Sequence, residues 1–259
     1  MSKMLYSPPQ IIKKLVPTPL KSKVWKEVYN ARKFQKLWNH IKAIGIDRLL
    51  WTIETVEIEY GHLLSVQKNK PLSKAGDPIP WYTYPAFEYL NQLDFQYKDI
   101  FEYGAGNSSL FWAKKARSVI SIESDKEWYV SLKSQMDSNQ ILLLFEEAQE
   151  YVNSIFEGQK KYDVIVIDGV HRLSCAEVAV QCLAPGGLII LDNSDWFPKT
   201  TTCLREAGLI QVDFTGLGPI NYYTWTTSIF LERSFSLKSR SELQPEHGIG
   251  SLVQVANPE

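Results

Sequence analysis

A buried strand, a glycine turn and the start of a helix are predicted by Asp99-Ile100-Phe101-Glu102-Tyr103-Gly104-Ala105-Gly106-Asn107-Ser108-Ser109-Leu110. Ile100 and Phe101 supply the apolar end of the strand. Gly104 and Gly106 allow backbone angles that a side chain forbids, and they let a ligand approach the main chain. The polar residues that follow are favoured in the first turn of a helix. Together these features predict a nucleotide-binding corner.

Two acidic residues near this corner bear on which nucleotide it holds. Glu102 lies two residues before the first glycine, where it would repel a diphosphate and favour a cationic amino-acid group; alternatively, it is a buried carboxylate that caps backbone amides. Glu123 lies 19 residues after Gly104, at the predicted end of the second strand. An acid there can accept hydrogen bonds from both ribose hydroxyls, although a solvated strand end is the alternative. Ser109 stands where the dinucleotide fingerprint has its third glycine.

A repeating strand-helix pattern begins near residue 98. Strands are predicted at 99–103, 118–123, 141–145, 162–168 and 188–191, followed by an antiparallel pair at 209–214 and 227–232. The pattern predicts an α/β fold with a doubly wound, Rossmann-like sheet that is mostly parallel and ends in the antiparallel pair.

Three regions are predicted along the 259 residues. Residues 1–79 form an N-terminal arm and a helical cap, with helices at 24–44 and 46–64. Residues 80–233 form the nucleotide-binding domain, and residues 234–259 form a polar, loose tail.

The net charge of −1 hides an asymmetry, because residues 1–50 carry +9 and the rest carries −10. The basic arm could associate with an anionic partner or a membrane surface, or dock on its own acidic domain. The helical cap is also a candidate element of a homodimer. We expect no nucleic-acid partner and no transmembrane segment, since no apolar run approaches about 18 residues. Three cysteines without a CxxC pair and no secretory signal favour a cytoplasmic protein.

At this point the chain resembles the class I S-adenosylmethionine-dependent methyltransferases. The resemblance covers about residues 80–233. It rests on Glu102-Tyr103-Gly104-Ala105-Gly106, on Glu123, and on Leu183-Ala184-Pro185-Gly186-Gly187 before strand five. The family usually has Asp where this chain has Glu102.

The resemblance implies S-adenosylmethionine as the cofactor and assigns residues to its parts. It implies that Gly104, Ala105, Gly106, Asn107 and Ser108 wrap the methionine part, and that Glu123 holds the ribose. Glu147 and Ala148 would meet the adenine, and Asp168 would lie beside the sulfonium. From the sequence itself, Tyr82 belongs to an aromatic run, Trp81-Tyr82-Thr83-Tyr84, that either lines the cofactor entrance or fills the core.

Oxygen-bearing side chains follow strands four and five, and we expect them to meet at one edge of the sheet. Asp168, Asp192 and Asn193 form a set that suits Mg²⁺, and it is similar to the set of metal-dependent O-methyltransferases. Alternatively, Asp168 caps a loop and the other two form an Asx turn.

His171 follows strand four by three residues and is the candidate general base, together with Asp168. The alternative is a loop histidine bonded to a carboxylate. Arg172 could pair with an anionic substrate or with Asp168. Trp196 is a candidate substrate contact. The aromatic residues of the 215–226 loop, Tyr222, Tyr223 and Trp225, either contact the substrate or pack beneath the cap.

The sequence thus predicts a methyltransferase that moves a methyl group from S-adenosylmethionine to an oxygen, or with less support a nitrogen, of a small molecule or glycan. One alternative is an NAD(P)-dependent oxidoreductase on the same fold. Another is a non-catalytic nucleotide-pocket protein that acts through its basic arm.

Overall fold

The computed structural model describes residues 32–241 and 243–251. Seven strands form its central sheet: β1 Asp99–Tyr103, β2 Ser118–Glu123, β3 Gln140–Leu144, β4 Tyr162–Ile167, β5 Leu183–Leu191, β6 Ile210–Gly216 and β7 Trp225–Leu231. The order across the sheet is β3-β2-β1-β4-β5-β7-β6. β1 to β5 run parallel, and β7 pairs antiparallel with both β5 and β6.

The predicted fold class is therefore confirmed. The strand order reverses between β1 and β4, so their carboxyl ends open a crevice at the switch point of the sheet. One boundary differs: β5 begins at Leu183 and includes the predicted Pro-Gly-Gly turn, with a register shift against β4.

Helices cover both faces of the sheet and form the N-terminal cap: α1 Arg32–Ala43, α2 Ile46–Glu54, α3 His62–Lys68, α4 Tyr84–Asn91, α5 Asn107–Ala113, α6 Lys126–Lys133, α7 Ala148–Asn153, α8 Arg172–Cys182 and α9 Pro198–Glu206. Within the residues that the structure describes, none of these helices is long and apolar enough to cross a membrane.

The predicted second cap helix, 46–64, is wrong as a single helix. After α2 the chain forms a π-helical turn, Thr55–Glu59, and α3 begins only after Gly61. Gly61 has φ +78°, and a Cβ there would lie 2.5 Å from the backbone of Ser73 and Lys74. The backbone of Ser73 and Lys74 passes so close to position 61 that only a glycine fits there. The left-handed angle of this glycine interrupts the predicted helix before α3. The predicted arm over residues 1–22 and the first turns of the first cap helix lie outside the described residues.

The first part of the predicted loose tail, residues 234–241, packs on the domain. The Asp94 amide donates to the Lys238 carbonyl at 2.9 Å, and the Arg240 amide donates to the Gln92 carbonyl at 2.6 Å. Phe235 and Leu237 pack on the apolar layer beside α4. Residues 234–241 are therefore held on the domain by the main chain and by apolar contacts, which composition alone did not indicate.

The alternation of side chains along the central strands builds one apolar layer on each face of the sheet. In β1, Phe101 and Tyr103 pack with α7 and α8 on one face. Ile100 packs on the other face with residues of α4 and α5. Since successive residues of a strand point to opposite faces, Glu102 falls on the α5 side, inside the protein.

Gly104 and Gly169 bring the ends of β1 and β4 into direct backbone contact. Gly104 has φ +90°, and a Cβ there would lie 2.6 Å from the Cα and N atoms of Gly169. The amide of Asp168 donates to the carbonyl of Tyr103 at 2.9 Å, which continues the strand pairing up to this contact. The floor of the crevice is therefore bare main chain.

Gly104→Ala is expected to destabilise the protein by roughly 2 kcal/mol or more, because the new methyl group meets backbone and the left-handed angle is strained. Gly106→Ala is the matched control: its Cβ would have no neighbour nearer than the Ser108 hydroxyl at 3.9 Å. Urea unfolding of both variants measures the difference. Equal stability of the two would contradict the close contact.

Candidate functional site

A cleft lies at the switch point, between the corner after β1 and the loop after β4. Its empty space, including the open mouth, is about 770 Å³. The lining residues come from six segments: Asn69, Lys70, Pro71, Trp81, Gly104, Ala105, Gly106, Asn107, Ser108, Glu123, Ser124, Trp128, Tyr151, Asp168, Gly169 and Val170.

Seven of the residues predicted to bind the cofactor line this cleft: Gly104, Ala105, Gly106, Asn107, Ser108, Glu123 and Asp168. Their assembly follows from the sheet, because β1, β2 and β4 are neighbours and end at the same edge.

Glu123, at the end of β2, is almost entirely buried yet borders the cleft. Its Oε1 accepts the amides of Ser124 at 2.7 Å and Asp125 at 2.8 Å. Among the described residues, Oε2 has no hydrogen-bond partner. One carboxylate oxygen thus fixes the side chain, and the other is available to a hydroxyl-bearing ligand.

Glu102 lies beneath the glycine corner and is fully buried. Its Oε2 accepts the hydroxyls of Ser109 and Ser121, while Oε1 has no partner among the described residues. Burial raises the pKa of Glu102 to about 7, opposed by the hydroxyls of the surrounding serines. Near neutral pH this carboxyl therefore exists in both protonation states. It does not itself border the cleft.

Tyr82 does not line the cleft, although the sequence favoured it as a cofactor contact. Its ring is fully buried in the core layer beside α4, whereas its neighbour Trp81 is 40% exposed and lines the cleft. Burial, with the charge of Glu102 as the second cause, holds the pKa of Tyr82 well above its ordinary value. The aromatic run therefore serves both predicted purposes, because Trp81 lines the cleft and Tyr82 fills the core.

Glu147 and Ala148 are exposed at the start of α7 and do not line the cleft. The side chain of Glu147 caps that helix by accepting the amide of Gln149 at 2.9 Å. The two residues that the resemblance assigned to the adenine therefore do not border this cleft.

A guanidinium occupies the centre of the predicted Mg²⁺ set. Arg172 donates to Oδ1 of Asp168 at 3.2 Å and to Oδ1 of Asn193 at 3.2 Å. It also donates to the backbone carbonyls of Asp168, Gly169 and Asp192. The described residues contain no group of three or more acidic, histidine or cysteine side chains placed to hold a metal. The structure therefore gives the predicted Mg²⁺ site no support, because the guanidinium of Arg172 already pairs with Asp168 and Asn193.

The same contacts exclude Arg172 as a free anion-binding residue, since its three nitrogens all donate within the protein. Its guanidinium also stacks on the ring of Phe197, 4.5 Å from the ring centre. Of the two roles that the sequence left open, the pairing with Asp168 is the one that forms.

Asp192 points away from the cleft into the protein. It accepts the indole N–H of Trp225 at 3.0 Å and the hydroxyl of Thr227. Burial, and then the charge of Asp168, raise the pKa of Asp192 well above its ordinary value. Trp225 is consequently a core residue, 1% exposed, and the expectation that it contacts substrate is wrong.

Asp168 remains the acidic group at the cleft beside β4. Its Oδ1 pairs with Arg172, and Oδ2 has no partner among the described residues. Burial raises the pKa of Asp168 to about 6, with the charge of Arg172 opposing the shift. Asp168 is thus mostly ionised at neutral pH and close to its titration range.

His171 is exposed and does not line the cleft. It precedes α8 in the left-handed region, with φ 52°. Its ring centre lies 6.2 Å from that of Tyr151, which does line the cleft. His171 therefore stands outside the wall that Tyr151 forms.

Trp196, Tyr222 and Tyr223 are exposed near the ends of β5 and β7, with 55%, 92% and 41% of their surface accessible. Asp195 accepts the amide of Thr226 at 3.0 Å, which joins the two loops that carry these rings. They do not line the cleft, but all three lie exposed at the same edge of the sheet, where the rings of Tyr222 and Tyr223 meet edge to face with their centres 5.6 Å apart.

Sequence reasoning missed Trp128, Tyr151 and the segment Asn69–Pro71. Trp128 covers the corner, and its indole N–H donates to the Ala105 carbonyl at 2.7 Å. It lies five residues after Glu123, so its position on the first turn of α6 was the available signal. Asn69–Pro71 had no signal, because it reaches the cleft only through the tertiary fold.

No protein-family model and no curated protein matches the chain. Several solved structures are similar to it. Precorrin-6y C5,15-methyltransferase from Geobacter metallireducens GS-15 is 14% identical over 58% of this chain and 87% of that chain, with a TM-score of 0.46. N-methyltransferase NodS from Bradyrhizobium japonicum WM9 is 14% identical over 52% and 85%, with a TM-score of 0.39. Spermidine synthase from Thermotoga maritima is 15% identical over 60% and 57%, with a TM-score of 0.43.

The fold of this chain is established by its own sheet, in which the order β3-β2-β1-β4-β5-β7-β6 with an antiparallel β7 is the Rossmann-like arrangement predicted from the sequence.

Glu102→Gln is expected to gain stability relative to the unsubstituted protein as the pH rises. Because the folded-state pKa of Glu102 is raised from 4.5 to about 7, its stability contribution is full below pH 4.5 and falls as the pH rises through 7. The difference between the two proteins should therefore grow by about 2 kcal/mol between pH 5 and pH 8. Urea unfolding at both pH values measures it, and a difference independent of pH would contradict the raised pKa.

Proposed function

We propose that this protein is an S-adenosylmethionine-dependent methyltransferase. The observation that carries the proposal is the pairing of the bare glycine corner with Glu123, whose Oε2 is available at the wall of the cleft. A carboxylate with one free oxygen suits the hydroxyls of a ribose, and the corner lets the rest of the cofactor approach the main chain.

Glu102 and Ser109 favour this cofactor over a dinucleotide. Ser109 is fully buried and its hydroxyl binds Glu102, at the place where a dinucleotide fingerprint has a glycine for close helix-strand packing. A partly ionised carboxyl beneath the corner opposes a diphosphate and favours a ligand that carries positive charge.

When bound, S-adenosylmethionine supplies a methyl group activated by the positive sulfur. The protein's own task is to hold the acceptor in line with that methyl group, to exclude water and to accept a proton. The acceptor oxygen forms the new bond to carbon, the carbon-sulfur bond breaks with its electron pair remaining on sulfur, and the acceptor's proton passes to a base.

Asp168 is the base we favour for that proton. It borders the cleft, its Oδ2 has no partner among the described residues, and its pKa of about 6 keeps it ionised at neutral pH. His171 lies outside the cleft wall and is the second candidate, as a group that passes the proton on to solvent.

An oxygen of a hydroxylated aromatic compound or a glycan is the acceptor we propose. The support is the exposed aromatic surface of Trp196, Tyr222 and Tyr223 beside the catalytic edge, since such rings stack on planar or sugar ligands. A methyl-transfer screen over phenols, glycans and amines tests the assignment, and turnover confined to amines would contradict it.

Glu123→Gln is expected to weaken S-adenosylhomocysteine binding about tenfold or more, because one ribose contact loses its charge-assisted character. Glu127→Gln is the matched control, because Glu127 is exposed in the first turn of α6 and does not line the cleft; it should leave the affinity unchanged. Isothermal titration calorimetry measures both, with NAD as a second ligand. Tight binding of NAD without binding of S-adenosylhomocysteine would overturn the proposed function.

Turnover is expected to fall about tenfold per pH unit below pH 6, because a protonated Asp168 cannot accept the acceptor's proton. Asp168→Asn should lower kcat by about 10²–10⁴, while His171→Ala should keep the acidic limb near pH 6. Initial-rate pH profiles of the three proteins measure this. A limb that disappears in His171→Ala would assign the base to His171 instead.

A further inference from the structure

The segment Asn69–Pro71, between the cap and the nucleotide-binding domain, reaches the wall of the cleft. It is held rigidly from the cap side by Ser65, which is fully buried. The Ser65 carbonyl accepts the Lys70 amide at 3.1 Å, and its hydroxyl exchanges hydrogen bonds with the amide and carbonyl of Leu72 at 3.0 and 2.9 Å. Asn69 turns the chain here in the left-handed region, with φ 51°.

The same segment is tied to the glycine corner from the other side. The side-chain amide of Asn107 donates to the Pro71 carbonyl at 2.7 Å. Asn107 is the first residue of α5, directly after Gly106. Lys70 is therefore fixed next to the part of the corner that the proposed function assigns to the methionine end of the cofactor.

Lys70 is the one residue with a positive side chain among the described residues that line the cleft, where Glu123 and Asp168 are negative. It forms no ion pair with any described residue, and Arg172 is fully engaged behind the wall. A cation beside the carboxylate of a zwitterionic ligand strengthens its binding, as acids beside the ammonium group do. Among the described residues that line the cleft, Lys70 is the cation available to such a carboxylate.

We propose that Lys70 binds the α-carboxylate of the cofactor's amino-acid end, so that the N-terminal cap completes the cofactor site. The inference rests on the proposed function and adds a binding role for the cap. It commits the carboxylate to the cofactor rather than to an acidic acceptor, because the Asn107–Pro71 bond places the segment against the glycine corner.

The test compares two ligands and two variants by calorimetry on the full chain. Lys70→Gln should weaken S-adenosylhomocysteine binding about tenfold, with unchanged affinity for S-adenosyl-3-thiopropylamine, the analogue without the carboxylate. Lys68→Gln is the matched control, because Lys68 is also exposed but does not line the cleft; it should bind both ligands as the unsubstituted protein does. Thermal unfolding verifies that both variants remain folded.

Equal loss of both ligands in Lys70→Gln, or unchanged affinity for S-adenosylhomocysteine, would overturn this role while leaving the proposed function in place. Failure of the unsubstituted protein to bind either adenosyl ligand would overturn the proposed function, and this inference with it.

Discussion

The contact between Gly104 and Gly169 is the constraint on which the site depends. β1 and β4 are neighbouring parallel strands, so their chains leave the sheet at the same edge and must turn within a few ångströms of each other. The absence of both Cβ atoms allows this approach, because a Cβ on Gly104 would lie only 2.6 Å from the Cα and N atoms of Gly169. The floor of the cleft is therefore main chain, and its chemistry comes from side chains at the walls.

Arg172 determines how the acidic groups at this edge behave. The charge of Asp168 adds to the burial that raises the pKa of Asp192, and one guanidinium lies against the side chain of Asp168 and the carbonyl of Asp192. The arrangement divides their roles: Asp192 becomes a structural acceptor for Trp225, and Asp168 keeps one oxygen at the cleft. A cation of the chain itself thus lies among the groups that the sequence suggested as metal ligands.

The strands and the glycine corner could be predicted from sequence because their signals are local. Apolar runs predicted the strands, and the number of residues between Gly104 and Glu123 predicted the position of Glu123 at the end of β2. The errors concern side-chain direction and long-range contacts. Tyr82 and Trp81 are both aromatic and differ in whether the ring enters the core or borders the cleft. Arg172 pairs with predicted metal ligands through contacts 20 and 21 positions away along the chain. The segment that carries Lys70 is held at the cleft by two hydrogen bonds: the Lys70 amide donates to the Ser65 carbonyl, and the Asn107 side chain donates to the Pro71 carbonyl. No local sequence pattern predicts this placement.

The most direct measurement is a crystal structure of the protein with S-adenosylhomocysteine. The account predicts the ribose hydroxyls on Oε2 of Glu123 and the amino-acid end along Gly104–Ser108, against the Asn69–Pro71 segment. A ligand bound away from Glu123, or a cleft that admits a diphosphate over the glycine corner instead, would contradict it.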